Sequence, residues 1–263
     1  MDLQLTGKLA LITGSTAGIG YAIAAGLARE GARVIITGRT QAGVDEALGS
    51  LLADTGVLGQ GFAGDLGEAA VCAALAVTYP DVDILVNNLG IFETKPFEDI
   101  ADADWLRFFE VNVMAGVRLA RAFVPAMRTR DWGRIVFISS ESAINIPAEM
   151  VHYGMTKTAQ LAVSRGLAES LAGTGITVNS VLPGPTRSRG VVEFLEKMAA
   201  EAGQPVADIE REFFNRARPS SLIRRFAEPA EIAAMVTYIV SPLASATTGA
   251  ALRVDGGIVR NPF

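Results

Sequence analysis

Short apolar runs alternate with helix-period stretches along most of the chain. "KLALIT" (8–13) is apolar almost throughout and stops at a glycine, which predicts a strand buried on both faces. "GIGYAIAAGLARE" (18–30) carries helical spacing. "ARVIIT" (32–37) predicts a second strand, and a helix follows near 40–54. "LGQGFA" (58–63) is a weaker third strand, with a helix near 67–78 after it, and "DILVNN" (83–88) is a fourth. A long helical region covers about 102–130, "RIVFIS" (134–139) is the fifth strand, and another helix covers about 152–172. "ITVNSVL" (176–182) is the sixth strand, and a helix near 228–240 leads to the seventh, "ALRVDGG" (251–257).

Strands rich in Val, Ile and Leu, with helices between them, predict an α/β fold. Its seven-stranded parallel sheet is doubly wound, Rossmann-type, with helices on both faces and right-handed crossovers. No internal repeat or low-complexity linker interrupts the pattern, so residues 1–263 read as one nucleotide-binding domain. The irregular part is 184–226, with Pro185, Pro205, Pro219 and mixed charge. It follows the sixth strand at the carboxyl edge of the sheet, where ligands bind in such folds, so it is expected to be a substrate lid. The alternative is a plain surface excursion.

Composition narrows the function classes. The chain has 263 residues, 50% of them apolar, enough for one large core. Lys plus Arg against Asp plus Glu is 23 − 28 = −5, so charge gives no support for nucleic-acid binding. The lone cysteine, Cys72, excludes an internal disulfide and suits a reducing compartment. No stretch approaches the roughly 18 uninterrupted apolar residues of a spanning helix, so a cytoplasmic protein with no membrane partner is expected. One His and one Cys cannot assemble a Cys2His2 or multi-His metal site, and no metal is expected. A Ser-His-Asp triad would need His152, and the chain has no G-x-S-x-G elbow.

"TGSTAGIG" (13–20) lies between the first strand and the first helix. A phosphate at a helix N-terminus needs backbone N–H groups to come close, and side chains at Gly14, Gly18 and Gly20 would block that. "HYGMTKTAQ" (152–160) places Tyr153 and Lys157 four apart on one helix face. A free tyrosine has a pKa near 10, and a nearby ammonium stabilises its phenolate, so such a pair suits proton exchange with a carbonyl or alcohol oxygen. Ser140 ends the fifth strand segment, thirteen residues before Tyr153. It is placed to donate a hydrogen bond to a substrate oxygen.

The spacing G-x3-G-x-G, the Ser-Tyr-Lys set and "NNLG" (87–90) resemble the short-chain dehydrogenase/reductase family in its classical form, over about residues 5–258. The resemblance implies that Gly14, Ser15, Thr16, Gly18, Ile19 and Gly20 hold the pyrophosphate and ribose of NADP(H) or NAD(H). Asp65 and Leu66 of "GDL" would flank the adenine, and Asn88 and Gly90 would lie beside the ribose. Leu89 stands where the family has a small Ala. Pro183, Gly184 and Thr186 of "NSVLPGPTRS" would meet the nicotinamide amide, with Ser188 beside them. By the same resemblance Asn112, Ser140, Tyr153 and Lys157 form the catalytic tetrad, Asn112 supporting a water chain from the lysine. Where an acid would bind the adenosine ribose, the chain reads Thr37-Gly38-Arg39, and Arg39 suits a 2′-phosphate. NADP(H) is therefore favoured, with NAD(H) the alternative.

Phe92, Glu141, Ser142 and His152 are candidate substrate contacts, joined by Glu149 and Met150. Ile91, Phe194, Met198, Phe213 and Phe214 suit either an apolar substrate wall or core packing. The resemblance implies hydride transfer between the cofactor and a small-molecule carbonyl or secondary alcohol, most like 3-oxoacyl-carrier-protein reductases. The alternatives are an NAD-dependent alcohol, polyol or sugar dehydrogenase, or a dinucleotide-sensing binding protein without turnover. Family members are mostly tetramers, and a homotetramer is expected, a dimer being the fallback.

Overall fold

The computed structural model describes residues 2–262, and within them the side chains of Arg189 and Phe194 lie outside the described set. The strands are β1 (Leu9–Ile12), β2 (Arg33–Gly38), β3 (Gln60–Ala63), β4 (Ile84–Asn87), β5 (Gly133–Ile138), β6 (Ile176–Pro183) and β7 (Ala251–Val254). They form one sheet in the order β3-β2-β1-β4-β5-β6-β7, and every pair is parallel. The order reverses between β1 and β4, which is where an open α/β sheet leaves a crevice beyond its carboxyl ends.

Strand alternation sorts the two layers. Ala10, Ile12, Val34, Ile36, Ile84, Val86, Val136 and Ile138 point to one face. There they pack on α1 (Gly18–Arg29), through Ile23 and Leu27, and on α9 (Pro229–Ile239), through Ile232 and Val236. Leu9, Leu11, Ile35, Leu85, Ile135 and Phe137 point to the other. They meet Leu75 of α3 (Ala69–Thr78) and Leu119, Phe123 and Met127 of α5 (Ala115–Thr129). Period-two alternation within strands buried on both faces is what lets each strand serve two cores. α2 (Gln41–Thr55) starts at Thr40, whose hydroxyl accepts the Gly43 N–H at 3.2 Å, and ends on Gly56 in the left-handed region.

The predicted helical region 102–130 is helical throughout but not uniform. α4 (Asp102–Phe109) and α5 are joined by a π-helical turn, Glu110–Met114, which carries Asn112. The segment 184–226, read from its prolines as irregular, contains two helices instead, α7 (Arg189–Ala202) and α8 (Val206–Arg216). Pro205 sits immediately before α8, at its N-cap, where a missing N–H costs no helix bond. Leu195, Ala199, Ile209, Phe214 and Phe226 give this pair a small core of its own. Phe213 packs against that cluster, its ring 5.1 Å from that of Phe226, so both phenylalanines serve packing within the segment. The pair follows the carboxyl end of β6. Its foot is fixed where Arg187 donates to both carboxylate oxygens of Glu210, each at 2.8 Å, and to Glu228 at 3.2 Å.

Candidate active site

Two cavities open along the crevice. One, of about 160 Å³, is lined by Gly14, Thr16, Gly38, Arg39, Asp65, Leu66 and Leu89. The other, of about 210 Å³, is lined by Ile19, Asn88, Gly90, Phe92, Ser140, Tyr153, Lys157, Pro183, Gly184, Thr186 and Ser188. The glycine turn separates them. Gly14 and Gly18 both have φ near +60°, which only glycine adopts without strain. At Gly20 a Cβ would lie 2.5 Å from both Asn88 Nδ2 and Gly14 O. Asn88 Nδ2 donates to Thr13 O at 2.8 Å and to Gly14 O at 3.0 Å, so the β4 end ties the turn in place. Ala17, the α1 N-cap, provides no side-chain cap, and the first turn holds no acid. That terminus suits an anion.

Ser15 departs from the cofactor role expected of it. Its hydroxyl donates to Ile12 O at 2.7 Å and accepts the Thr37 N–H at 2.9 Å, and its own N–H donates to Thr37 O at 2.9 Å. It is fully buried and stitches β1 to β2. Arg39 is exposed at the rim of the smaller cavity, with no ion pair or hydrogen bond among the described residues.

The second cavity brings Ser140, which follows β5, together with Tyr153 and Lys157 of α6 (Val151–Ser170). Asn112, in the π-turn, does not line it and lies behind, bonded to its neighbours. Asn112 Oδ1 accepts the Ile91 N–H at 2.8 Å, and its Nδ2 donates to Ile91 O and to Thr156 Oγ1, both at 3.0 Å. Lys157 Nζ donates to Ile138 O at 2.9 Å and to Gln160 Oε1 at 3.4 Å, while Gln160 Nε2 donates to Asn112 O at 2.6 Å. Gly90 leaves room for this: its Cβ would stand 3.4 Å from Lys157 Nζ and 3.6 Å from Asn112 Oδ1. Gln160 and Thr156 thus join the site although no sequence motif marked them; Gln160 shares the Lys157 face at i+3.

Burial dominates the protonation of the pair. It pushes the Tyr153 phenol up to about 12, against the lowering effect of the neighbouring Ser140 hydroxyl. It pulls the Lys157 ammonium down to about 7. The lysine was expected to depress the phenol. Instead its Nζ sits 5.6 Å from the tyrosine ring centroid, and the charges that reach the phenol are Glu141 and Arg218.

The candidate substrate contacts divide. Phe92 is 62% exposed, lines the larger cavity and meets Tyr153 edge-to-face at 6.5 Å between centroids. His152 is fully buried on the far side of α6, against Phe108 at 4.1 Å and Trp105 at 6.0 Å, and does not line the cavity. One residue along a helix turns a side chain by about 100°, so the neighbour of Tyr153 faces α4 instead. Glu141 and Ser142 are also buried, behind Ser140 and not on the cavity wall. Glu149 and Met198 are surface-exposed.

An anion-ready helix start and a tyrosine–lysine pair lining one cavity meet at the switch point of a parallel sheet, and this combination defines a nucleotide-dependent oxidoreductase. The family profile described as enoyl-(acyl carrier protein) reductase matches residues 14–259. The uncharacterized oxidoreductase YvaG of Bacillus subtilis is 49% identical over the whole of both chains. The 3-oxoacyl-[acyl-carrier-protein] reductase FabG of Aquifex aeolicus is 32% identical, covering 98% of this chain and all of that one. The crystal structure of L-sorbose reductase from Gluconobacter frateurii, complexed with NADPH and L-sorbose, superposes with a TM-score of 0.94 at 32% identity, over 99% of this chain and all of that one. The chain belongs to the short-chain dehydrogenase/reductase family and is an NAD(P)-dependent oxidoreductase.

Proposed function

We propose that the protein uses NADP(H) to interconvert a small carbonyl compound and its secondary alcohol. The observation that carries this reading is the convergence of Ser140, Tyr153 and Lys157 on one cavity beside the glycine turn. A bound nicotinamide supplies or accepts hydride. In reduction Tyr153 gives its proton to the carbonyl oxygen while Ser140 donates a hydrogen bond to the same oxygen. The high pKa of the phenol keeps that proton available at neutral pH. Lys157, held by Ile138 O and Gln160, orients the cofactor ribose, and Asn112 fixes the entry to the proton path. Gly14, Gly18 and Gly20 admit the pyrophosphate, and Thr186, Pro183 and Gly184 frame the nicotinamide end of the larger cavity.

Arg39 supports NADP(H) over NAD(H). It is a free guanidinium at the end of β2 and at the rim of the cavity that also holds Asp65 and Leu66. As substrates we put forward 3-oxoacyl compounds of short chain, since Phe92 and Ile138 give the cavity apolar wall. A second reading, reduction of a ketose, draws on the likeness to L-sorbose reductase. The experiment is a turnover panel of an acetoacetyl thioester, ethyl acetoacetate and L-sorbose with NADPH and with NADH. Tyr153→Phe should lose roughly 10²–10⁴-fold in kcat while still binding NADPH. No turnover of any carbonyl, with Tyr153→Phe unchanged in ligand binding, would favour a dinucleotide sensor instead.

We place residues 1–263 in one dinucleotide-binding domain with α7 and α8 as its lid, in the cytoplasm. No helix among the described residues is long and apolar enough to cross a membrane. We also infer a homotetramer, supported by the exposed apolar residues Phe97, Leu106 and Phe109 around α4. Light scattering tests it, and a monomer refutes it.

A further inference from the structure

Behind Ser140 lies a charged pair that the hydride-transfer reading leaves unused. Glu141 is 3% exposed. Its Oε2 accepts the Ser140 hydroxyl at 2.6 Å, the Ser142 N–H at 2.8 Å and the Ser142 hydroxyl at 3.1 Å. Its Oε1 accepts Arg218 Nε at 3.0 Å. Arg218 follows α8, so this bond joins the lid, 77 residues further along the chain, to the residue behind Ser140. The arginine side chain is only 12% exposed. Its shape is set locally by its Nη1 donating to Ala217 O at 2.9 Å and its N–H donating to Phe213 O at 3.1 Å.

A serine hydroxyl has one proton to donate. Here that proton goes to a carboxylate, which is a stronger acceptor than a ketone oxygen. A buried carboxylate without a countercharge would hold the serine harder and set a negative charge beside the tyrosine that must ionise. The arginine on the opposite oxygen draws that charge away. We propose that Arg218 is a positioning residue for proton transfer: by holding the far oxygen of Glu141 it weakens the grip of that carboxylate on the Ser140 hydroxyl, so that an incoming substrate oxygen can take over the hydrogen bond. This inference rests on the reaction assigned above to Ser140 and Tyr153.

The electrostatics run in the same sense. Glu141 raises the Tyr153 phenol and Arg218 lowers it, both behind burial as the main cause. These two are the charged groups facing the phenol across the cavity wall, and Lys157 lies one turn on in α6. Catalysis and lid position are thereby linked through one carboxylate. The foot of the lid, held by Arg187, carries no such link to the reacting groups.

The test uses Arg218→Met, Arg218→Lys, Glu141→Gln and the double Arg218→Met/Glu141→Gln. Two measurements follow each variant. One is the pH dependence of kcat for oxidation of the alcohol corresponding to the best carbonyl of the panel. The other is ultraviolet titration of the Tyr153 phenol in the presence of NADP+, with Tyr153→Phe as the blank. Arg218→Met should move the ascending limb, which reports ionisation of the phenol, and the phenol titration upward by about one pH unit, which is roughly a tenfold loss in kcat at neutral pH. Arg218→Lys should restore most of it, and the double variant should return the limb to near the wild-type position.

Breaking one side of a buried pair is more disruptive than removing both. If Arg218→Met does not fold, Glu141→Gln alone must move the limb downward. An unmoved limb in every folded variant, with only KM raised, would make the pair a structural latch and overturn the proposal. An active Tyr153→Phe enzyme would instead overturn the underlying reaction, so the two failures are distinguishable.

Discussion

Gly20→Ala puts the packing of the glycine turn to a quantitative test. The added methyl would stand 2.5 Å from Asn88 Nδ2, 2.5 Å from Gly14 O and 2.9 Å from Ser15 Cα. Two of these three are backbone atoms of the turn itself, which cannot swing aside as the end of a long side chain does. The third is the amide that donates to Thr13 O and Gly14 O. Overpacking of this kind costs about 1–3 kcal/mol. Displacing Asn88 adds about 1–2 kcal/mol for its two hydrogen bonds. The better helix propensity of alanine returns about 1 kcal/mol. The net loss is about 1–4 kcal/mol, a melting temperature lower by roughly 2–16 °C in a chain of this size. Because the turn must shift, NADPH affinity should fall at least tenfold, which fluorescence titration reads. Gly49→Ala is the control. Gly49 is exposed within α2, and its Cβ would have nothing within 4 Å, so that change should stabilise by about 0.4–1 kcal/mol and leave NADPH binding alone. Equal melting temperatures and equal affinities for the two variants would refute the reasoning.

Other perturbations address the cofactor, the lysine and the core. Arg39→Asp should weaken NADPH binding by roughly 10–100-fold, the loss of about 1.5–3 kcal/mol of charged hydrogen bonding, and NADH binding far less; equal effects on both cofactors would remove Arg39 from 2′-phosphate recognition. Native Lys157 releases its proton near 7, whereas the unfolded chain does so near 10.5. Between those values the unfolded state binds the extra proton, so this group makes stability rise with pH across that window and adds no slope below it. The urea midpoint should therefore climb from pH 7 to 9, and Lys157→Met should remove most of that climb. Phe123→Ala, at a site 1% exposed between α5 and the sheet, should cost about 3–5 kcal/mol in urea unfolding without changing the NADPH dissociation constant.

The sheet was legible because its residues obey one rule twice over. The inner strands are apolar on both faces and all seven end near a glycine, asparagine or serine, so the runs stand out and their bounds differ from the observed ones by at most three residues. The tyrosine, lysine and serine were legible by spacing. The π-turn at Asn112 was not, since "EVNVMAG" has the same periodicity as an ordinary helix and the extra residue per turn shows only in the backbone. α7 and α8 hid behind Pro205, which starts a helix as readily as it breaks one. His152 and Glu141 drew attention as polar neighbours of reactive residues, but adjacency in sequence sets them on other faces. The contact of Arg218 with Glu141 spans two loops and no periodic signal encodes it.

The apolar cluster of Phe214, Phe226 and Leu195 has a consequence for how this enzyme changes over time. Because α7 and α8 close a core among themselves, the pair forms a cassette attached at its foot through Arg187 and held through Arg218 to Glu141, the residue after Ser140. A cassette of that kind is exchangeable: a transplanted hairpin that keeps those two arginines would keep both anchors while bringing different side chains beyond the end of β6. Change in this segment has a short path, one that never disturbs the sheet.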